Sequence, residues 1–443
     1  MQRVSDRVSY TVFLAIGALC ILTFLVVRLP RAQRNCVLGL DGRGYFSYVR
    51  SFVFDGDLRL HNEGAYFDGV QGMPSTGLPD GPLAIGTALF WAPFYLLGHL
   101  LSLLAHALGM QVDNNGYGLV YQSAVCIATI VYVTLGCFLT YRVCRRYFSA
   151  YASLVAVAGL WLASALLHYT VGAAYMSHGV SFFAVSLFLF LWHPPRLRTN
   201  TEWAVLGLSL GLMALVRWQD LLYASVLLVE GVQVVKVKGP MHERAVTLRG
   251  YVKGGLLAGL VGAVVFAPQV LYWITLHGLP TPGVPGTFFD MLYPNLLDYL
   301  FSTRHGLYTW HPIMLLATVG LVPLWQRDKK VAAALLAALL AQWYLNSATT
   351  DWWAHASFGA RRFISATPML ALGMAALAQS LTNRFRRGAL VLAVTVSVLV
   401  CWNFLFDLQF SWGFIPHEEP LTLRELTVGK LEMILQLINH VVS

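Results

Sequence analysis

Asp41 is the residue of this sequence whose position best suits a general base. It follows an apolar N-terminal segment, and Tyr45, Tyr48 and Ser51 follow it at helical spacing. A short helix on a membrane surface would aim the carboxylate at a partly desolvated site, where it can accept a proton from a substrate hydroxyl. The same spacing fits an aspartate that caps this helix by accepting a backbone N–H, so both interpretations stay open.

Two later polar segments combine basic residues with aromatic residues. Residues 302–311 include Arg304 and His305, and residues 351–363 include Trp352, Trp353, Arg361 and Arg362. The planar guanidinium of arginine suits phosphate oxygens, so we predict that these basic side chains bind a lipid phosphate beside the aromatic rings. The alternative is an interfacial aromatic belt with arginines that extend toward lipid headgroups.

Asp55-Gly-Asp57 places two carboxylates one residue apart, a pattern that can bind a divalent cation. Glycine between two aspartates is also typical of a turn, which is the preferred interpretation here. His305 and His311 are six residues apart and lack a third ligand at metal spacing. We therefore predict no metal and no cofactor, with a cation at Asp55 and Asp57 as the open alternative.

The composition is that of a membrane protein. The 443 residues are 57% hydrophobic and 12% charged, with a mean hydropathy of +0.62, whereas soluble domains carry about 25% charged residues. Apolar runs of the ~20 residues needed to cross a bilayer recur along the chain. The net charge of +9 is concentrated in short basic connectors, which the positive-inside rule places in the cytoplasm and which do not indicate nucleic-acid binding.

This pattern predicts an all-α, polytopic transmembrane bundle. Eleven crossings, with the N-terminus inside and the C-terminus outside, keep every basic connector on the inner side. The apolar segment 83–108 is then left over, and we expect it to be re-entrant, interfacial or a hairpin. We assign residues 1–407, with the outer loop 31–82, to one bundle and residues 408–443 to an outer tail with a short amphipathic helix.

Residues 203–236 are predicted to form two short helices that meet at Arg217-Trp-Gln-Asp220. A single helix of this length would run ~50 Å at 1.5 Å per residue, too long for a bilayer core of ~30 Å. The break would place Arg217 and Asp220 below the outer membrane surface, where charged groups usually line a watered cavity. A mutual ion pair that only neutralises their burial is the alternative.

The first outer loop resembles that of GT-C-type membrane glycosyltransferases, the group of the protein O-mannosyltransferases and the lipid A aminoarabinose transferase. The resemblance rests on Asp41-Gly-Arg-Gly-Tyr45, Arg50-Ser51, Asp55-Gly-Asp57-Leu58 and Pro79-Asp-Gly-Pro82. It implies a GT-C-like bundle with juxtamembrane helices in the first loop, and it implies that Asp41 is the catalytic acidic residue. Many relatives have a second acidic residue directly after the first, where this chain has Gly42.

The resemblance also implies a reaction. A sugar would move, with inversion, from a polyprenyl-phosphate donor to an acceptor hydroxyl on a glycan, lipid or protein, at a site facing the periplasm from the bacterial inner membrane. We expect the substrate cavity to be lined by six side chains: Tyr45, Arg50, Arg217, Asp220, Trp352 and Trp353. A lipid or sugar-lipid transporter and a non-catalytic membrane subunit are the alternatives; a transporter should show repeated halves with paired broken helices.

Overall fold

The computed structural model describes residues 5–32, 36–67, 83–192, 198–236, 240–281 and 288–442, and the first-loop motif at 79–82 lies outside these ranges. Within them the chain is helical, with no β-strand and an isolated bridge between Phe289 and Thr349. The all-α fold class predicted from the sequence is therefore confirmed.

Twenty α-helices make up the described part of the chain. The first ten are α1 (Asp6–Thr23), α2 (Leu40–Arg50), α3 (His61–Phe67), α4 (Gly86–Ala107), α5 (Leu119–Arg145), α6 (Ala150–Leu162), α7 (Ala165–Val171), α8 (Ser177–Leu191), α9 (Asn200–Val216) and α10 (Ser225–Val235). The others are α11 (Met241–His277), α12 (Leu296–Phe301), α13 (Leu307–Trp310), α14 (Pro312–Val319), α15 (Leu321–Arg327), α16 (Lys329–Ser347), α17 (Thr367–Arg384), α18 (Gly388–Ser411), α19 (Leu423–Leu426) and α20 (Gly429–Val442).

The helices form an integral membrane bundle. In the described ranges, six are long and apolar enough to cross a bilayer, or seven if α6 and α7, bent by 65° at their junction, are one span. Helices α8 and α9 are apolar but shorter. The predicted number of eleven crossings therefore stays a prediction.

The break predicted near Arg217 is confirmed. Helix α9 ends at Val216, Arg217 is extended with φ −151° and ψ 110°, and a 3₁₀ helix at Trp218–Ala224 leads into α10. The side chain of Gln342 on α16 donates to the carbonyl of Gln219 at 2.7 Å. A neighbouring helix thus satisfies a backbone group that the break removes from the helical hydrogen-bond ladder.

The apolar segment 83–108, which the eleven predicted crossings leave out, contains one continuous helix, α4. Its length and apolarity suit a membrane crossing. Its N-terminal Gly86 packs against Leu215 and Val216 at the end of α9. Farther along α4, Tyr95 donates to the carbonyl of Gly116, just before α5, at 2.8 Å. Because the segment is one continuous helix, the hairpin alternative is ruled out; whether α4 crosses the membrane stays a prediction.

Basic connectors gather at the opposite end of the bundle. There Arg145 pairs with Asp6 at 2.7 Å, and Arg146 donates to the carbonyl of Phe190 at 2.8 Å. The guanidinium of Arg327 stacks on Phe148, 5.3 Å from the ring centre. Connectors that the charge pattern assigns to one side of the membrane thus contact one another directly.

The tail returns to the bundle through α20, which packs against α18. Lys430 is buried, and its ammonium lies 4.2 Å from the ring centre of Trp402 and 4.0 Å from that of Phe406. Cation–π contacts of this kind stabilise a buried ammonium group. Helix α18 itself runs on to Ser411, and the domain division at residue 407 stays a prediction.

A buried ion pair fixes the start of α9 to α10. Glu230 accepts hydrogen bonds from Arg198 at 2.9 Å and from the indole N–H of Trp192 at 3.0 Å, and both charged side chains are 2% exposed. We expect Glu230→Ala to lower the free energy of unfolding by about 3–5 kcal/mol, because it leaves a guanidinium buried without its counter-charge. Thermal unfolding in detergent measures this, with exposed Glu243→Ala as the control; equal melting temperatures would contradict it.

Candidate active site

Asp41 occupies the first turn of α2, but it does not cap the helix. The N-cap position belongs to Gly39, whose φ of −76° and ψ of 176° are extended. An aspartate in the first turn is stabilised by the positive end of the helix dipole. The carboxylate is 41% exposed and so remains accessible to a substrate. The capping alternative is therefore not what the structure adopts.

Two glycines let α2 approach Tyr175 closely. A Cβ atom at Gly42 would lie 2.6 Å from Cδ2 of Tyr175, and one at Gly39 would lie 2.8 Å from Cε2 of the same ring. Real Cβ atoms do not approach other heavy atoms so closely, so a side chain at either position would displace the ring. This contact explains why Gly42 stands where many GT-C enzymes have a second acidic residue.

The carboxylate of Asp41 faces a guanidinium from the distant part of the chain. The Nη1 atom of Arg361 lies 3.4 Å from Oδ2 of Asp41. Arg361 begins a 3₁₀ helix at Arg361–Ala366, directly before α17, and it follows Gly359, whose φ is +65°. A left-handed conformation is easy for glycine, and it turns the chain so that Arg361 points to the first loop.

A cavity of about 230 Å³ opens beside Arg361. Its lining includes Arg28 from the end of the first span, Tyr175, and His168 of α7. The Nδ1 atom of His168 is 2.6 Å from a carboxylate oxygen of Asp407 on α18. We call this space the Arg361 cavity. It combines two guanidinium groups with an imidazole that a carboxylate orients.

A second cavity of about 300 Å³ adjoins the first. Three arginines line it, namely Arg28, Arg31 and Arg43. Arg28, Gly172 and Tyr175 line both spaces. We call this second space the triple-arginine cavity. In sequence, Asp41 lies between Gly39 and Gly42, the two glycines that contact Tyr175.

Tyr45, predicted to line the substrate cavity, is buried one turn beyond Asp41. Its hydroxyl donates to Oγ of Ser177 at 3.0 Å, and its ring packs edge-on against Trp91. Burial raises the pKa of the Tyr45 phenol, and the negative charge of Asp41 raises it further. The side chain is therefore a neutral hydroxyl, and its assignment to the substrate cavity stays a prediction.

The structure gives Arg217 and Asp220 separate partners. Nη1 of Arg217 lies 2.6 Å from Nδ1 of His178, and Ser181 donates to the carboxylate of Asp220 at 2.5 Å. Asp220 is 1% exposed. The Nε atom of Arg217 is buried and has no hydrogen-bond partner among the described residues. A simple mutual ion pair therefore does not describe these residues, and their assignment to the substrate cavity stays a prediction.

Arg362 is held by the turn that precedes it. It donates to the carboxylate of Asp351 at 2.7 Å, to the Asp351 carbonyl at 3.0 Å and to Thr349 at 2.7 Å. These contacts use its guanidinium to fix the loop before the 3₁₀ helix, and its predicted role in phosphate binding stays a prediction. Arg361 and Arg362 are neighbours in sequence, but only Arg361 pairs with Asp41 and lines the adjoining cavity.

Arg304 and His305 are held by the loop that contains Trp353. The guanidinium of Arg304 stacks 3.9 Å from the Trp353 ring centre and donates to the carbonyl of Glu418 at 2.5 Å. His305 is buried, with Nδ1 2.6 Å from the Trp353 carbonyl, and burial lowers its pKa to about 4. His305 is therefore neutral at ordinary pH. Trp352 packs edge-on against Trp353. The roles predicted for these four residues stay predictions.

Arg50 organises the first loop, and its assignment to the substrate cavity stays a prediction. It pairs with Asp55 at 2.5 Å and with buried Glu63 at 3.0 Å, and it stacks on Tyr117. Burial raises the pKa of Glu63. Asp57 accepts hydrogen bonds from Ser51 and from the backbone N–H of Arg59.

The Asp55-Gly-Asp57 segment forms a turn. Gly56 has a φ of +72°, in the left-handed region that favours glycine. Asp55 also accepts a hydrogen bond from Asn62 at 3.1 Å. The carboxylates are thus engaged by nearby donors, and the turn interpretation fits this geometry. The absence of a metal or cofactor stays a prediction.

Sequence reasoning missed the residues that complete the two cavities. Arg28 and Arg31 stand at the end of an apolar span, where they look like ordinary flanking charges. His168 and Asp407 lie on helices far apart in sequence, and Tyr175 carries no motif. The useful signal was the number of arginines in and beside the first outer loop, a place where the charge pattern predicts few cations.

Comparisons with known proteins identify the fold. No protein-family model matches the chain, and no curated protein matches its sequence. ArnT from Cupriavidus metallidurans, bound to undecaprenyl phosphate, is similar at a TM-score of 0.52 and 15% identity, over 91% of this chain and 69% of ArnT. Its apo state is similar at 0.50 and 14% identity, over 92% of this chain and 70% of ArnT.

An archaeal enzyme has the same fold. The apo oligosaccharyltransferase of Archaeoglobus fulgidus is similar at a TM-score of 0.52 and 12% identity, over 94% of this chain. The match covers 57% of that enzyme, so this chain spans little more than half its length. Both neighbours are GT-C glycosyltransferases, as the first-loop motif predicts. The protein therefore has the GT-C fold of membrane glycosyltransferases.

Proposed function

We propose that this protein is an inverting glycosyltransferase that moves a sugar from a polyprenyl-phosphate donor to an acceptor hydroxyl. The observation that carries the proposal is the contact between Asp41 and Arg361 beside two cavities in a GT-C bundle. The fold neighbours are glycosyltransferases, and ArnT was crystallised with undecaprenyl phosphate, which supports a lipid of this class as the partner.

The donor phosphate binds in the Arg361 cavity. Arg361 and Arg28 supply guanidinium groups there, and His168 supplies a ring nitrogen held in place by Asp407. Phosphate accepts charge-assisted hydrogen bonds more strongly than a neutral group does. The phosphodiester of the donor carries one negative charge and two free oxygens, and it competes with the carboxylate for Arg361; the monoester that leaves carries a further charge and binds the guanidinium more strongly. Donor binding therefore draws Arg361 from Asp41 and leaves the carboxylate a better base.

Sugar transfer follows once Arg361 has moved from Asp41 to the donor phosphate. Asp41 accepts the proton of the acceptor hydroxyl as the oxygen bonds to the anomeric carbon from the face opposite the lipid phosphate. The bond between that carbon and the phosphate oxygen breaks, and the phosphate leaves with the electron pair. Arg361 and Arg28 stabilise the charge that develops on it. Because the phosphate is already a competent leaving group, no nucleotide or metal enters the step.

The site faces the periplasm from the bacterial inner membrane in this proposal. The basic connectors lie at the end of the bundle opposite Asp41, and the positive-inside rule assigns that end to the cytoplasm. The donor lipid then enters the Arg361 cavity from the outer leaflet.

Asp41→Asn should lower sugar transfer by about 10²–10⁴-fold, because a general base contributes that much and the amide cannot accept the proton. The measurement is transfer of sugar from a polyprenyl-phosphate donor by the purified protein in detergent. Asp298→Asn is the matched control, an exposed aspartate in the first turn of the short helix α12. Unchanged transfer by Asp41→Asn, with the fold retained, would remove Asp41 as the base and favour a transporter or a non-catalytic subunit.

Arg361→Gln should weaken binding of undecaprenyl phosphate by about 10–100-fold, the effect of losing a charged hydrogen bond of roughly 1.5–3 kcal/mol. Native mass spectrometry or a lipid-binding titration measures it. Arg362→Gln is the neighbouring control; because Arg362 binds Asp351, its loss should lower the melting temperature and leave lipid affinity unchanged. The opposite pattern would place the donor phosphate elsewhere.

A further inference from the structure

The triple-arginine cavity concentrates positive charge on the side of the protein where the charge pattern predicts few cations. Arg28 and Arg31 come from the end of the first span, and Arg43 comes from α2, two positions after Asp41. The first span and the first outer loop therefore direct three guanidinium groups into a space of about 300 Å³. Such convergence has an electrostatic cost unless an anion occupies the space.

Among the residues that the structure describes, the contacts of these arginines are with neutral groups. Arg28 donates to the carbonyl of Gly172. Arg43 donates to the carbonyls of Leu38 at 3.4 Å and Phe67 at 3.2 Å. Arg31 lies over the Trp412 ring, 5.9 Å from its centre. No carboxylate is found among the cavity's lining residues in the described ranges.

Other arginines of the protein show a different pattern. Arg50, Arg198 and Arg362 each pair with a carboxylate within 3.0 Å. Those ion pairs fix loops and helix ends, and they need no ligand. The triple-arginine cavity thus keeps its charge available to an incoming anion, and a guanidinium fork suits phosphate or carboxylate oxygens.

The location relates this charge to the reaction. Arg28, Gly172 and Tyr175 line both this cavity and the Arg361 cavity, and Gly39 and Gly42, on either side of Asp41 in sequence, contact Tyr175. A donor in the Arg361 cavity and an acceptor in the adjoining cavity would bring the attacking hydroxyl to the anomeric carbon. Inversion requires the hydroxyl to approach that carbon on the face opposite the leaving phosphate.

We propose that the triple-arginine cavity binds an anionic group on the acceptor, so that the acceptor is a glycan or lipid with a phosphate monoester close to the hydroxyl that reacts. The identification of the bound molecule as the acceptor rests on the proposed function. The anion site itself is independent of catalysis and can be tested by binding alone.

The test is a binding titration on the purified full-length protein in neutral detergent, with undecaprenyl phosphate at saturation to fill the donor site. Glucose 6-phosphate is the soluble probe, phosphatidic acid is the lipid probe, and glucose is the neutral comparison. We expect at least one phosphate probe to bind and glucose not to bind. Which probe binds tells whether the anion belongs to a soluble glycan or to a lipid headgroup.

Variants separate the two cavities. Arg31→Gln and Arg43→Gln should each weaken binding of the phosphate probe about tenfold, while Arg361→Gln should leave it unchanged and weaken only undecaprenyl phosphate. Arg31 is exposed at a helix end, so its replacement retains the fold even if Arg43→Gln does not. Arg59→Gln removes one exposed charge from the same loop and should change neither affinity.

Three results would overturn the proposal. Undecaprenyl phosphate could displace the phosphate probe, which would mean a single phosphate site. Arg31→Gln and Arg43→Gln could weaken undecaprenyl phosphate instead, which would assign the cavity to the donor. Neither phosphate probe could bind better than glucose. None of these results depends on sugar transfer, so they are distinct from a failure of the Asp41 assay.

Discussion

The contact between Asp41 and Arg361 is the interaction on which the rest of the site depends. It joins the first outer loop to the turn before α17, and these two segments are far apart in the sequence. Partly buried charges in a membrane bundle are costly unless they are paired or solvated. The pair therefore fixes the position of the Asp41 carboxylate, and in the proposed function it supplies the guanidinium to which the donor phosphate binds.

Two glycines determine how closely α2 packs against Tyr175. Gly39 and Gly42 allow α2 to lie against Tyr175, and the side chain of Tyr175 lines both cavities. The same contact accounts for the missing second acidic residue of the GT-C pattern. In the proposed reaction a single carboxylate acts alone, which agrees with a leaving group that needs binding more than protonation.

The sequence predicted what depends on local pattern. Hydropathy gave the all-α membrane bundle, length gave the break at Arg217, and helical spacing gave the short helix after Asp41. It also pointed to both members of the central ion pair. It did not separate Arg361 from Arg362, because adjacent residues point in different directions only after the backbone turns at Gly359. Arg28, His168 and Asp407 were missed because their proximity comes from helix packing, which a single sequence does not fix.

A structure of the protein with bound undecaprenyl phosphate tests the central claim most directly. The account predicts the phosphate in the Arg361 cavity, within hydrogen-bond distance of Arg361 and Arg28, and a carboxylate of Asp41 that has separated from Arg361 and faces the triple-arginine cavity. A phosphate bound elsewhere, with the contact between Asp41 and Arg361 intact, would contradict it.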